Sequence, residues 1–270
     1  MQSPDPRLVP DPQRWGAWIV RIDGTDQSYV DPTDPTYLEF DYVQRVADTI
    51  NTAFAPRERI CAVHVGGAGM TIPRYIAYTR PTSAQIVLEP DAALTEAVRA
   101  VAPLPYRSGI KVRTRDGRAG MRELADDYAD LVVLDAFAGA RVPAELGTEE
   151  WFAEVRRVVR PNGTFIMNLT DFQPLAYARR VIAGISRFFA PVVAGAESST
   201  WKARRFGNIV VSAGGGVDPL ALEIESGRSP FPYRLLHGPD LDRWLGPARP
   251  FTDADAESSV PPPYGPTFFA

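Results

Sequence analysis

The 270-residue sequence predicts a doubly wound α/β fold, because short apolar runs alternate with amphipathic segments through most of the chain. One such run, Ile60–Val65, ends in a glycine-rich turn, Gly66-Gly-Ala-Gly-Met-Thr71. The run at Gln85–Leu88 ends in a single acid, Glu89, which follows Gly67 by 22 residues. This spacing is typical of nucleoside binding, because the glycines let the backbone approach the ligand and the acid accepts the ribose hydroxyls.

The first 56 residues predict a short arm followed by a small β-hairpin subdomain and a helix. Residues 1–14 hold four prolines and few apolar side chains, which is typical of an extended arm. Strands are predicted at Trp15–Ile22 and Gln27–Val30, joined through an Asp-Gly pair that signals a hairpin. Apolar residues at helical spacing predict a helix over Tyr37–Phe54, the last element of the segment 15–56.

Residues 57–213 predict a seven-stranded, Rossmann-like sheet with helices on both faces. The strands are predicted at Ile60–Val65, Gln85–Leu88, Ile110–Arg115, Leu131–Leu134, Thr164–Leu169, Pro191–Ala194 and Asn208–Ser212, the last two as an antiparallel pair. Helices are predicted at Met70–Thr79, Ala92–Ala102, Ala119–Asp126, Glu149–Val159 and Leu175–Phe189. Residues 214–270 read as a tail rich in Pro and Gly, with one short helix at Asp240–Leu245.

Composition narrows the range of partners. The net charge of −4 argues against wide contacts with a phosphate backbone, so nucleic acid is not expected. No run approaches the ~18 apolar residues of a membrane span, and the N-terminus lacks the pattern of a signal peptide. The single cysteine, Cys61, permits no internal disulfide, which indicates a reducing cytoplasm. No metal site is predicted, and His64 is expected to be a core residue.

Candidate site residues follow the predicted strands at their carboxyl ends. They are the turn Gly66–Gly69, Glu89, the pair Asp116-Gly117, and Asp135. Ligands of doubly wound sheets bind at this edge, so we expect these residues to meet in one site.

Taken together, these segments resemble the class I S-adenosylmethionine-dependent methyltransferase fold and, more closely, the polyamine aminopropyltransferases of the spermidine synthase family. The resemblance covers roughly residues 15–213 and rests on Asp23-Gly-Thr-Asp-Gln27, Glu39-Phe-Asp-Tyr42, Val65-Gly-Gly-Ala-Gly69, Val87-Leu-Glu89, Asp116-Gly117, Leu134-Asp135 and Arg160-Pro-Asn-Gly163. It implies aminopropyl transfer from decarboxylated S-adenosylmethionine, a co-substrate, to putrescine or another small amine. Methylthioadenosine is the product, no cofactor is held tightly, and the assembly is a homodimer.

The resemblance also implies a role for each site residue. Asp135 would sit beside the reacting amine as the catalytic residue, and Gln27 and Tyr42 would line the substrate channel. The co-substrate would be bound by the ribose ligand Glu89, by Asp116 at the adenine amino group, and by Gly66, Gly67, Gly69 and Gly117.

Three positions depart from the family pattern, because acids of that pattern are replaced here by Gly69, Ala138 and Gln44. A dicationic acceptor would find fewer partners, unless other acids (Asp31, Asp41 or Asp171) point inward. Gly69 favours a donor that keeps its carboxylate, since a glycine-rich turn at a helix N-terminus suits an anion. Two alternatives therefore stand beside aminopropyl transfer: a methyltransferase acting on a small acceptor, and a catalytically silent homologue retained for nucleoside binding or assembly.

Overall fold

The computed structural model describes residues 5–230 and 233–263, and its N-terminal part is a three-stranded antiparallel sheet. The strands are β1 (Leu8–Pro10), β2 (Trp18–Ile22) and β3 (Thr25–Val30), in the order β1-β2-β3. Asp23 and Gly24 connect β2 to β3 with φ values of 50° and 80°, as a tight hairpin turn requires. The predicted hairpin therefore exists, and residues 8–10 of the predicted arm add a third strand to it.

The large sheet has eight strands, in the order β11-β9-β10-β8-β7-β4-β5-β6. These are β4 (Cys61–Val65), β5 (Ala84–Leu88), β6 (Ile110–Arg113), β7 (Ala129–Leu134), β8 (Val159–Asp171), β9 (Val192–Ala196), β10 (Gly207–Ala213) and β11 (Arg234–His237). Strands β4 to β8 pair in parallel, whereas β10 is antiparallel to β8 and β9, and β11 is antiparallel to β9. The doubly wound α/β prediction is confirmed, but the count of seven strands is wrong because β11 forms an eighth at the edge.

Helices cover both faces of this sheet. They are α1 (Asp41–Ala53), α2 (Thr71–Thr79), α3 (Ala92–Val101), α4 (Gly117–Arg122), α5 (Glu149–Val158), α6 (Ala176–Phe188), α7 (Ser198–Trp201), α8 (Pro219–Arg228) and α9 (Gly238–Leu245), with a 3₁₀ helix at Ala144–Leu146. The segment predicted as a tail thus contains α8, β11 and α9, and its residues 231–232 and 264–270 lie outside the described ranges. No helix within those ranges is long and apolar enough to cross a membrane.

Three buried apolar clusters hold the layers together. One face of the sheet packs on α5 and α6, and the other packs on α1 and α2. The small sheet packs through Trp18 and Val20 against Met70 and Val98, at the N-terminus of α2 and along α3. Because of this packing, the small sheet lies over the turn between β4 and α2, and it bounds the site that the carboxyl ends of the parallel strands form.

Candidate functional site

The glycine-rich turn joins β4 to α2, and its first two glycines are required by close packing. Gly66 has a φ of +92°, and a Cβ atom there would lie 2.3 Å from the backbone oxygen of Asp135. At Gly67 a Cβ atom would lie 2.7 Å from Cγ1 of Val87. Only glycine fits at these positions without a shift of β5 or of the residue that follows β7.

Glu89 follows β5 and is bound to this turn. Its Oε2 accepts hydrogen bonds from the backbone N–H of Gly67 (2.9 Å) and Ala68 (3.2 Å). Its Oε1 accepts a hydrogen bond from the backbone N–H of Asp91 at 3.0 Å. The half-buried carboxylate is therefore held in one orientation, with lone pairs left for a ligand.

Asp116 and Gly117 lie where α4 begins, after β6. The Asp116 carboxylate caps the helix by accepting from the backbone N–H of Ala119 at 2.9 Å. A Cβ atom at Gly117 would lie 2.6 Å from Cγ1 of Val65, so a glycine lets α4 approach the end of β4. Asp116 therefore both caps α4 and lines the cavity.

Asp135 directly follows β7 and is half-buried. Its Oδ1 accepts a hydrogen bond from Nδ2 of Asn168 (3.0 Å), and its Oδ2 accepts one from the Tyr42 hydroxyl (3.3 Å). Burial raises the pKa of the Asp135 carboxyl, although the two hydrogen bonds act in the opposite direction. Burial, with the neighbouring Asp135 charge, also raises the pKa of Tyr42, so the phenol stays protonated and donates.

A cavity of about 410 Å³ joins these groups. Its walls include most of the predicted site residues, namely Gln27, Tyr42, Gly66, Gly67, Glu89, Asp116, Gly117 and Asp135. Gly69 is the exception, because it is not part of the cavity wall. A Cβ atom at Gly69 would lie 2.7 Å from Oγ of Ser28, so this position faces β3 of the small sheet.

A smaller chamber of about 50 Å³ lies beside the main cavity and shares Gln27, Tyr42 and Phe137 with it. Its other walls are mainly polar and neutral: Thr25, Ala140, Asn168, Thr170 and Asn208. One acid, Asp26, also borders it, but Arg21 donates to both carboxylate oxygens at 2.6 and 3.2 Å. The chamber is therefore close to electrically neutral.

The acids that were candidates to replace the missing ones do not line the cavity. Asp31 pairs with Arg14, Asp41 pairs with Arg45, and Asp171 accepts hydrogen bonds from backbone N–H groups. Of the two other departures, Ala138 does line the cavity, whereas the Gln44 side chain donates to the backbone oxygen of Leu38.

Several residues of the cavity and of the smaller chamber were not predicted. Asn168 is one, and it lies beside Asp135 because Met167 on β8 is in register with Leu134 on β7. Ser28 and Thr71, joined by a 2.9 Å hydrogen bond between their hydroxyls, are two others. His64 also lines the cavity, although it was expected to be only a core residue. Within residues 5–230 and 233–263, no group of three or more His, Cys, Asp or Glu side chains is placed to hold a metal ion.

The order of strands defines an α/β protein of methyltransferase-like fold, with a cavity at the carboxyl ends of its parallel strands. No family model matches the chain. A polyamine aminopropyltransferase from Vibrio vulnificus is 25% identical over 240 residues, which cover 83% of this chain and 76% of that protein.

Solved structures agree with this similarity. A probable spermidine synthase from Corynebacterium glutamicum superposes with a TM-score of 0.83 at 26% identity, over 91% of this chain and 92% of that one. Human methyltransferase-like protein 13, solved in complex with SAH, superposes with a TM-score of 0.55 at 18% identity, over 78% of this chain and 93% of that one, a likeness of fold alone. The predicted resemblance to the spermidine synthases is confirmed.

Proposed function

We propose that this protein is a transferase that binds an S-adenosyl sulfonium nucleoside and transfers its aminopropyl group to a small amine. The observation that carries the proposal is the Asp135 carboxylate, fixed by Tyr42 and Asn168 in the cavity that also contains Glu89 and Asp116. The similarity to a polyamine aminopropyltransferase and to a probable spermidine synthase supports it.

The reaction places one demand on the protein above all others, which is removal of a proton from the acceptor. An alkyl amine with a pKa of ~10.4 is an ammonium ion at neutral pH and has no lone pair to attack with. Once neutral, its nitrogen attacks the propyl carbon next to sulfur, and the carbon–sulfur bond breaks with its electron pair moving to sulfur. Methylthioadenosine then leaves as a neutral thioether, and the new secondary amine carries the positive charge.

In this proposal, Asp135 accepts the proton from the amine. A carboxylate of ordinary pKa is a weak base, and burial raises the pKa of Asp135 toward the working pH. Asn168 and Tyr42 bind one oxygen each, which fixes the carboxylate and leaves its remaining lone pairs for the amine. Glu89 would hold the ribose hydroxyls, Asp116 would face the adenine, and Gln27 would line the acceptor side.

Methyl transfer from S-adenosylmethionine is the second candidate. The near-neutral charge of the smaller chamber, which would receive the acceptor beside Asp135, favours it. An aminopropyltransferase acting on a diamine predicts several free carboxylates beside Asp135. Among the residues that the structure describes, the one acid lining the chamber is Asp26, which is paired with Arg21. A second ammonium group there would be desolvated without a free counter-charge. A less acidic acceptor site suits a monoamine or a neutral acceptor.

The third candidate, a silent nucleoside-binding homologue, predicts that apolar side chains such as Phe137 or Val43 close the site. Both residues line the cavity, which nevertheless keeps a volume of about 410 Å³. That volume lies within the range of ordinary ligand pockets, roughly 300–1,000 Å³. An active transferase is therefore our first proposal, and the cytoplasmic homodimer stays a prediction.

The test is a turnover assay with two donors. The protein is incubated with decarboxylated S-adenosylmethionine and a panel of mono-, di- and polyamines, and release of methylthioadenosine is followed. In parallel, S-adenosylmethionine is supplied with the same acceptors, and S-adenosylhomocysteine is followed. We expect methylthioadenosine release, and a loss of about 10²–10⁴-fold in Asp135→Asn, the range for removal of a general base.

Asp48→Asn is the matched control. Burial also raises the pKa of Asp48, which accepts a hydrogen bond from the Tyr233 hydroxyl at 2.9 Å but does not line the cavity. This variant should keep its turnover. If S-adenosylhomocysteine forms and methylthioadenosine does not, the protein is a methyltransferase and the proposal of aminopropyl transfer is wrong. Nucleoside binding without either product would favour the silent homologue.

A further inference from the structure

His64 is a buried polar side chain that lines the cavity and has no role in the mechanism above. It lies on β4 and is 2% exposed. The cavity residues Val43, Ile72 and Val133 belong to one apolar cluster on the face of the sheet covered by α1 and α2. His64 is in register with Val133, and its side chain points to that same face. It therefore contributes a polar group to an otherwise apolar part of the wall.

The hydrogen bonds of Gln85 determine which nitrogen of His64 carries the proton. Nε2 of Gln85 donates to the backbone oxygen of Pro73 at 3.0 Å, and a carbonyl oxygen only accepts. The Gln85 amide is thereby oriented with Oε1 toward His64, 3.0 Å from Nε2 of the imidazole. Since Oε1 is an acceptor, Nε2 of His64 carries the hydrogen.

Nδ1 of His64 is consequently a hydrogen-bond acceptor, and within residues 5–230 and 233–263 the ring's one hydrogen bond is that between Nε2 and Gln85. Burial lowers the pKa of His64 to about 4, so the ring is neutral at pH 7 and Nδ1 keeps its lone pair. Because the His64 side chain lines the cavity, this lone pair is available to a ligand or a water molecule there.

The position of the ring indicates which part of a ligand reaches it. Asp135 follows Val133 by two residues, so Asp135 and His64 face the same side of the sheet and lie roughly 7 Å apart along it. β4 lies between β5, which ends at Glu89, and β7, which ends at Asp135. A nucleoside with its ribose at Glu89 and its sulfonium near Asp135 would direct its remaining substituent at sulfur toward the apolar wall beneath the glycine turn.

We propose that His64 Nδ1 is a specificity determinant that accepts a hydrogen bond from the terminal N–H or O–H group of the alkyl arm of the sulfonium nucleoside. This inference rests on the proposed function and adds to it. In this chain, Gly69 faces Ser28 and brings no acid to the arm. A neutral acceptor with apolar neighbours would select a short carbon chain that ends in a hydrogen-bond donor.

The test is calorimetric titration with three adenosyl sulfonium nucleosides whose arms are 3-aminopropyl, 3-hydroxypropyl and propyl. Methylthioadenosine, which has no arm, serves as the reference ligand. Two variants test the roles of the two ring nitrogens of His64 separately. His64→Gln places an amide near the position of Nε2 and keeps a partner for Gln85, whereas His64→Asn places an amide oxygen near the position of Nδ1. Unfolding temperatures identify any variant that fails to fold.

We expect the wild type to bind at least one of the two donor-bearing arms about tenfold more tightly than the propyl arm, the size of one buried hydrogen bond. His64→Gln should reduce this preference to about twofold or less, and His64→Asn should keep most of it. The ranking of the amino and hydroxyl arms identifies the preferred end group.

Two results would overturn the inference. The first is an equal preference for donor-bearing arms over the propyl arm in the wild type and in His64→Gln. The second is the absence of any such preference in the wild type, a result that requires no variant. Failure of the proposed function gives a different result, because it is seen as the absence of methylthioadenosine release in the turnover assay, whereas the preference among arms is measured by binding alone.

Discussion

Replacement of Glu89 by glutamine tests whether the acid after β5 acts on the ligand or only on the turn. In the wild type, one carboxylate accepts three backbone hydrogen bonds, from Gly67, Ala68 and Asp91. The glutamine side chain has a single oxygen. If that oxygen takes the place of Oε2, it keeps the two bonds to the turn, and its NH₂ group then faces the N–H of Asp91, donor against donor.

The expected loss of stability follows from the number of hydrogen bonds that the substitution changes. A hydrogen bond to a charged group contributes about 1.5–3 kcal/mol, and a neutral one about 0.5–1.5 kcal/mol. Because Glu89 is half-buried, the lower part of each range applies. We expect Glu89→Gln to lower the free energy of unfolding by about 1–3 kcal/mol. If the ribose hydroxyls also donate to this carboxylate, affinity for the nucleoside should fall about tenfold, since charged bonds become neutral ones.

Urea unfolding measures the first effect, and calorimetric titration with S-adenosylmethionine and methylthioadenosine measures the second. Asp218→Asn is the matched control, because Asp218 accepts backbone hydrogen bonds from Leu220 and Ala221 at the start of α8, outside the cavity. That variant should lose some stability and no affinity. Unchanged nucleoside affinity in a destabilised Glu89→Gln would refute the ribose role and leave Glu89 as a support of the turn.

Three further predictions concern the packing and charge of the site. Gly66→Ala should lower the free energy of unfolding by about 2–5 kcal/mol, because strain at positive φ adds to a clash with the Asp135 backbone. Gly16 also has a positive φ, +86°, but no atom lies within 4 Å of the position of its Cβ, so Gly16→Ala should lower the free energy of unfolding by only about 1–2 kcal/mol. Equal losses of stability for the two variants in urea unfolding would contradict this. The raised pKa of Asp135 means that wild-type stability falls as pH rises from the ordinary value near 3.8 to the raised value. Asp135→Asn should therefore gain stability over the wild type across that window, and a difference independent of pH would refute it. Gly69→Ala should destabilise through its contact with Ser28, and addition of Ser28→Gly should recover part of the loss; strictly additive effects would rule out that contact.

The fold was predictable where the pattern of side chains is local. The five parallel strands are short runs rich in β-branched and apolar residues with clear turn signals, so their order along the chain already indicates a doubly wound sheet. β1 and β11 were missed for a physical reason. Each is only three or four residues long, and each depends on one neighbouring strand, β2 or β9, for its backbone hydrogen bonds. No local pattern encodes such a pairing.

The site was predictable to the extent that parallel strands bring their carboxyl ends together. Glu89, Asp116 and Asp135 line one cavity for that reason. The orientation of Gly69 was not predictable, because it depends on Ser28, which lies in a different sheet. The acceptor role of His64 Nδ1 was not predictable from the sequence either, because it follows from the hydrogen bonds that Gln85 on β5 makes with His64 and Pro73.

The distribution of charge along the cavity bears on the choice between the candidate reactions. Glu89 and Asp116 follow β5 and β6 on one side of β4, and Asp135 follows β7 on the other side. In the proposed complex, Glu89 and Asp116 would bind the hydroxyls and amino group of the nucleoside, and the sulfonium would lie near Asp135. Among the described residues, two other acids line the cavity, but Asp91 is paired with Arg7 and caps α3, and Glu145 lies exposed on the 3₁₀ helix. In the proposed reaction, the sulfonium, the acceptor amine and the transferred proton would therefore share the Asp135 carboxylate. An acceptor with a second ammonium group would need another free acid, and Arg21 already neutralises Asp26. The same arrangement therefore favours an acceptor with a single amine, whether an aminopropyl or a methyl group is transferred.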